Sequence, residues 1–229
     1  MEDDADARRP AVIRDSLGLG IATGTYGVSF GAIAVGAGLD VLQTCALSLL
    51  MFTGASQFAL VGTLAAGGTP VSGALTALLL GTRNTLYGLR VAPLLGWTGL
   101  RRAGAAHLLL DESTAMSVTR TTTRDARTGF LTTGVTIFVL WNLFTLLGAV
   151  AGTVLGDPRR LGLDAAMGAA FLALLWPRLS QRTSQLVAVL AVGVALGLVP
   201  VAPAGVPVLA AGGVALLVGL LSRDEGDDP

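Results

Sequence analysis

Lysine is absent from this chain, and every basic side chain is an arginine. Charge of either sign is scarce: 13% of residues are charged, about half the share usual in a soluble domain. Fifteen basic residues balance fifteen acidic ones, so the cationic excess that nucleic-acid binding needs is missing and no nucleic-acid partner is expected. The lone cysteine, Cys45, excludes an internal disulfide framework and argues against a thiolate metal site. The lone histidine, His107, has no second histidine to share a metal with. No G-x-x-x-x-G-K-[ST] loop occurs, so a P-loop ATPase is excluded. Neither a metal nor any other cofactor is expected. Glycine is plentiful, at 31 of 229 residues, but follows no Gly-X-Y period, which excludes collagen. What the chain has instead is apolar surface: 52% of residues are hydrophobic and the mean hydropathy is +0.71.

The uncharged residues come in long runs. Residues 16–39 carry no charge and can span a bilayer. Residues 41–82 carry none either. As one helix they would reach about 63 Å, about twice the hydrocarbon core, so the chain must fold back, and Gly67-Gly68-Thr69-Pro70 offers the turn. Further uncharged runs cover 128–156 and 183–222, the second broken by Pro200, Pro203 and Pro207. The shorter run 165–177, ending at Trp176-Pro177, spans only if Leu161 to Asp164 join it. Open sheets cannot sit in lipid, and the ten-residue alternation of a membrane barrel is missing. The sequence therefore predicts an all-α polytopic transmembrane bundle of six to eight membrane helices. An N-terminal tail over 1–15 precedes a single transmembrane domain over 16–222, and an acidic tail over 223–229 follows. Met1 to Arg14 lack a signal-peptide pattern, so the first span is expected to stay in the mature protein.

Arginine sets the orientation. Arg8, Arg9 and Arg14 precede the first span and put the N-terminus in the cytoplasm. Arg101, Arg102, Arg120, Arg124 and Arg127 cluster centrally, Arg178 and Arg182 flank a later loop, and the loop at Asp40 has no arginine. Arg159 and Arg160 are the exception. Counting crossings exposes a conflict, because two full crossings over 41–66 and 70–95 would put Arg101 and Arg102 outside. Either 41–66 is broken or re-entrant, giving six crossings, or 104–119 crosses as a short polar helix, giving eight.

Small residues recur at helical spacing: Gly20 and Gly24, Gly27 and Gly31, then Gly148, Gly152 and Gly156. Such faces let helix backbones approach closely, within the chain or against a second subunit. Gly31-Ala-Ile-Ala before Asp40 is echoed by Gly148-Ala-Val-Ala before Asp157. This is the mark of an internal repeat, although abundant Gly and Ala produce such echoes by chance.

Three polar constellations interrupt the apolar surroundings. In Phe52-Thr53-Gly54-Ala55-Ser56-Gln57-Phe58, Gly54 can break a helix, and a break near 54–58 would offer backbone groups to a substrate. Ser56 and Gln57 serve equally well as interhelical glue. In Thr82-Arg83-Asn84-Thr85-Leu86-Tyr87-Gly88, Arg83 lies where a charge normally faces the bundle interior or a wet cavity. It can meet a substrate carboxylate or an acidic side chain. Arg90 is nearer the span end and can snorkel. In Asp111-Glu112-Ser113-Thr114, one carboxylate can neutralise Arg83 while the other carries a proton, since a carboxyl removed from water keeps its proton more readily. The alternative is an interfacial helix start, where acids are favoured.

At these three places the chain resembles the AzlC family, the large subunits of bacterial two-component branched-chain amino-acid exporters linked to azaleucine resistance. Phe52-Thr-Gly-Ala-Ser-Gln-Phe58 matches the family's Phe-x-Gly-Ala-Ser-Gln-Phe. Gly81-Thr-Arg83-Asn84-Thr-Leu-Tyr87-Gly88 is similar to its Asn-x-Arg-His-x-x-Tyr-Gly, with Gly81 for the Asn and Asn84 for the His. Leu110-Asp111-Glu112 is similar to its Thr-Asp-Glu. The likeness runs over about residues 12 to 220. It implies a permease, not an enzyme, in the bacterial cytoplasmic membrane, exporting valine-like aliphatic amino acids down an ion gradient beside a small AzlD-type membrane subunit. From the three constellations themselves, the candidate substrate contacts are Gly54, Ala55, Ser56, Gln57, Phe58, Arg83, Asn84 and Tyr87, and the candidate proton-coupling residues are Asp111 and Glu112.

Rival readings stand beside it. Gly54-Ala55-Ser56 suggests an intramembrane serine protease, but Gln57 stands where a second Gly belongs, and only His107 is available as a base. A passive channel or a non-transporting membrane protein is the other alternative.

Overall fold

The computed structural model describes residues 2–155, 172, 176–203 and 205–221, whose regular structure is all helical, with no strand among them. Helix α1 (Glu2–Gly24) bends at Thr25-Tyr26 into α2 (Gly27–Gly36). Then come α3 (Val41–Leu50), α4 (Ala55–Ala65), α5 (Pro70–Leu95), α6 (Gly99–His107), α7 (Asp111–Val118) and α8 (Thr123–Leu155). A 3-10 turn (Trp176–Ser180) leads into α9 (Arg182–Leu198) and α10 (Val206–Leu221). The candidate span over 165–177, apart from residues 172, 176 and 177, lies outside the described residues, as do Asp157, Arg159, Arg160, Asp164 and the acidic tail.

The bundle is organised by the packing of α1 and α2 along α8. A Cβ on Gly20 would lie 2.7 Å from Thr136 Cγ2, and one on Gly24 would lie 2.6 Å from Leu140 Cβ. On Gly27 and Gly31 it would meet the carbonyls of Trp141 and Thr145, and on Gly148 the carbonyl of Val28. The numbers on both sides rise together, so the helices run parallel. The echoed motifs at Gly31 and Gly148 both lie on this contact, where small residues allow backbone-to-backbone packing. Parallel packing also places Arg9 and Arg14 at the same end of the bundle as Arg120, Arg124 and Arg127. This is called the near end below.

Two half-depth hairpins enter this frame from opposite ends. At the far end, Asp40 starts α3 with a capping box: its side chain accepts from Gln43 N at 2.8 Å, and Gln43 Oε1 accepts from Asp40 N at 3.0 Å. Helix α3 runs inward along α8, where Ser48 Oγ donates to Thr145 Oγ1 at 3.4 Å. The chain reverses over 51–54, with the Phe52 ring 5.1 Å from that of Phe138, midway along α8. Helix α4 returns outward, so Leu64 near its end shares an open apolar groove of about 680 Å³ with Gly38, Gln43 and Pro70.

Thr69 caps α5 through Ser72 N at 3.2 Å, and α5 crosses the whole bundle. Gly73 packs on Leu60 and Gly81 on Ser56, and the last carbonyl of the helix, Leu95 O, accepts from Arg127 Nε at 2.8 Å. Helix α6 then climbs from the near end until His107 lies 5.6 Å from Phe138 and 6.0 Å from Phe52, ring to ring. After 108–110, α7 descends, with Met116 against Gly129 and Ser117 Oγ donating to Ala126 O at 3.4 Å. The tips of the two hairpins therefore meet at mid-depth. Helix α10 runs parallel to α5, with Gly205 beside Ser72 and Gly212 beside Leu79, and α9 packs beside it.

This geometry corrects the expected helix count. Two described helices, Arg9–Gly36 (28 residues) and Thr123–Val154 (32 residues), are long and apolar enough to cross a membrane by length and composition, where six to eight were expected. The 41–66 run is cut at 51–54 into helices of 10 and 11 residues, each about 15 Å long, half the hydrocarbon core. Helix α5 has the length, but Arg83, Asn84 and Arg90 make it polar. Helices α9 and α10 have 17 and 16 residues. Residues 104–119 do not cross, because they turn back at 108–110. Arg101 and Arg102 consequently lie at the near end with Arg9, Arg14, Arg120, Arg124 and Arg127, which removes the conflict in the arginine count.

Candidate functional site

The motif around Gly54 is divided among several tasks. Gly54 sits at φ +64° and ψ −88° and makes the reversal before α4. The break thus ends at Gly54, one residue before α4 begins, instead of extending through Phe58. Gln57 is fully buried and caps that reversal: its Oε1 accepts from Gly54 N at 3.0 Å and Thr53 N at 3.4 Å, while Nε2 donates to Leu47 O at 3.3 Å. The two arms of the hairpin are tied together by this one side chain. Phe58 packs in the core, its ring 5.5 Å from Phe30 and 6.0 Å from Trp141. Ala55 is buried as well. Ser56 points elsewhere. It is 1% exposed, its Oγ lies 3.6 Å from where a Gly81 Cβ would sit, and it has no hydrogen-bond partner.

Helix α5 brings the second constellation to the same level. Arg83 Nη1 lies 2.8 Å from Asp111 Oδ2, with the side chains 28% and 21% exposed. The sequence left Asp111 and Glu112 as equal partners for Arg83, and the structure pairs it with Asp111. The pair has a free, buried edge on each side, since Arg83 Nε and Asp111 Oδ1 have no partner. Asn84 Oδ1 is likewise buried and unpaired. Tyr87 lies one turn nearer the near end, packed with Val91, Leu109 and Phe130. Arg90 is exposed.

The first turn of α7 supplies the rest. Glu112 Oε1 accepts from Thr23 Oγ1 at 3.4 Å, which links α7 to the first crossing helix. Ser113 Oγ accepts from Leu110 N at 2.9 Å and closes the tip. Thr114, one turn on from Asp111, is 8% exposed and its hydroxyl is unpaired. The sequence grouped Thr114 with the acids but did not reveal Thr23 as their neighbour, because Thr23 comes from α1, 89 residues away from Glu112.

Chemically, the tips place an ion pair with two open edges and several unpaired oxygens at mid-depth in an apolar bundle. Buried polar groups without partners are uncommon and mark a place where a ligand or solvent completes them. A nucleophile is not assembled here. Ser56 Oγ contacts no base, and His107 packs its ring on Phe52 and Phe138. Among the described residues no group of three or more His, Cys, Asp or Glu is placed to hold a metal ion.

A family model described as AzlC protein matches residues 18–155. That span includes both hairpins, α5, Arg83 and both acids. No curated protein and no solved structure matches the chain.

Proposed function

Since the chain belongs to the AzlC family, and is on that ground a membrane permease rather than an enzyme, we propose that it exports branched-chain and other aliphatic L-amino acids by gradient-driven secondary transport. The observation that carries this reading is the Arg83–Asp111 pair at the meeting of the hairpin tips, with a free buried edge on each side. A charge pair at that depth is costly and is usually retained for a pathway. A substrate carboxylate engages the free Nε edge of Arg83 and there competes with Asp111 for its charge, and the acidic pair Asp111 and Glu112 couples the exchange to proton movement. Gly54, Ala55, Ser56, Gln57 and Phe58 line or shape the path, with Asn84 and Tyr87 on the facing helix. Opposed half-helices suit alternating access, because each hairpin can open the tip region to one side.

The near end is cytoplasmic in this reading. Arg9, Arg14, Arg101, Arg102, Arg120, Arg124, Arg127 and Arg182 gather there, as the positive-inside rule requires. The protein is a multi-pass component of the bacterial cytoplasmic membrane and works with a small AzlD-type subunit. A passive channel is less well supported, because Phe52, His107 and Phe138 close on one another at the tips. Cells lacking the gene and that of its partner subunit should accumulate leucine or valine when fed the corresponding dipeptides. Unchanged efflux of every aliphatic amino acid would refute the substrate assignment.

A further inference from the structure

Besides the Thr114 hydroxyl, three buried oxygens on the elements that meet at the tips have no partner and are unused by the carboxylate exchange: Ser56 Oγ, Asn84 Oδ1 and Asp111 Oδ1. They come from three different elements, α4, α5 and α7. Gly81, Asn84 and Gly88 fall on one face of α5, at spacings of three and four residues. A Cβ on Gly81 would lie 3.6 Å from Ser56 Oγ at one end of this face, and one on Gly88 would lie 3.5 Å from Leu109 Cδ2, two residues before Asp111, at the other. Asn84 therefore sits between the two hairpin tips. Ser56 is 1% exposed and faces this strip of α5.

Resting on the amino-acid export reading, we infer that Ser56 Oγ, Asn84 Oδ1 and Asp111 Oδ1 form the subsite for the substrate's primary ammonium group, while Arg83 Nε takes its carboxylate. Donor and acceptor counting supports this. An ionised Asp111 only accepts, Asn84 Oδ1 only accepts, and a serine hydroxyl can accept, whereas a primary ammonium brings three donors and no acceptor. Charge supports it as well. The Arg83–Asp111 pair is itself neutral, so a bare metal cation at Asp111 Oδ1 would be repelled by the guanidinium and gain no net charge compensation from the pair, while the neighbouring acid, Glu112, is held by Thr23. An α-amino acid is a neutral zwitterion whose two charges match the two free edges of the pair. Asp111 is then the substrate-contacting acid, and Glu112, held by Thr23, is the one left to carry the proton.

The test is equilibrium binding to the purified, detergent-solubilised full chain with its partner subunit. The probes are leucine, its des-amino analogue 4-methylpentanoate and its decarboxylated analogue isoamylamine, in sodium and in choline buffers. Leucine should bind at least about tenfold more tightly than 4-methylpentanoate, the loss expected when charge-assisted hydrogen bonds are removed. Ser56→Ala and Asn84→Leu should each weaken leucine about fivefold to tenfold and leave 4-methylpentanoate unchanged. Ser56→Ala removes one oxygen only, so it keeps the test decisive if Asn84→Leu folds poorly. Equal affinity for leucine and 4-methylpentanoate would overturn the subsite. Equal weakening of both ligands with sodium-dependent binding would assign the oxygens to a metal cation and overturn it too. Wild-type protein that binds none of the aliphatic amino acids would instead overturn the transport reading on which the subsite rests.

Discussion

Gly54→Ala isolates the backbone contribution of the first hairpin tip. At φ +64° and ψ −88°, Gly54 lies near the conformation of the rare γ-turn, about +75° and −65°, which is strained for any residue with a Cβ. No heavy atom lies within 4 Å of a Cβ built there, so the methyl group meets no crowding and the effect is conformational. Holding an alanine in such a region costs about 1–3 kcal/mol, which is about a fivefold to 150-fold shift against the reversed tip. The control is Gly18→Ala. Gly18 also has open space, but it lies inside α1 with ordinary helical φ, where alanine is favoured by up to about 1 kcal/mol. Thermal unfolding in detergent and uptake by proteoliposomes should move in opposite directions for the two variants: Gly54→Ala less stable and slow, Gly18→Ala unchanged or more stable and active. Gly54→Ala protein as stable and active as the control would refute the claim that 51–54 is a fixed reversal between two half-helices.

Two further predictions follow from the packing and from the direction of the helices. Gly148→Ala forces a methyl group onto the Val28 carbonyl, and neither backbone can yield without separating α2 from α8. We expect a loss of at least about 2 kcal/mol, in the range of overpacked cores, read as a large fall in the yield of monodisperse protein. In a cysteine-free background made by Cys45→Ser, single cysteines at Arg14, Arg101 and Arg124 should react with a membrane-impermeant maleimide from one side of the membrane. A cysteine at Leu39 should react from the other. Labelling of Arg101 and Leu39 from the same side would reverse the direction of α5.

Much of this arrangement was legible in the charge pattern. The arginine clusters marked the near end, and the glycines at 20, 24, 27 and 31 marked the face that meets α8, since only small residues allow that approach. Gly54 announced a break because a residue with a Cβ is strained at the angles found there. The second hairpin was not legible. Gly99 to His107 contains two arginines and mostly small residues, so it has no hydropathy signal, and its course to mid-depth is set by tertiary contacts of His107 and Leu108 with α8. For the same reason the sequence could pair Arg83 with either acid. Adjacent residues on a helix point about 100° apart, and only the placement of α7 decides which one faces α5.

The central claim is that Arg83 and Asp111 act as one unit at the meeting of the hairpin tips. A double-mutant cycle on leucine transport, using Arg83→Gln, Asp111→Asn and the double variant, tests it most directly. The Arg83–Asp111 account predicts that either single change nearly abolishes transport and that the double variant is no worse, a coupling of about 1–3 kcal/mol. The parallel cycle with Glu112→Gln should show much weaker coupling, because Glu112 is held by Thr23 and not by Arg83. Additive losses for Arg83 and Asp111 would contradict the account.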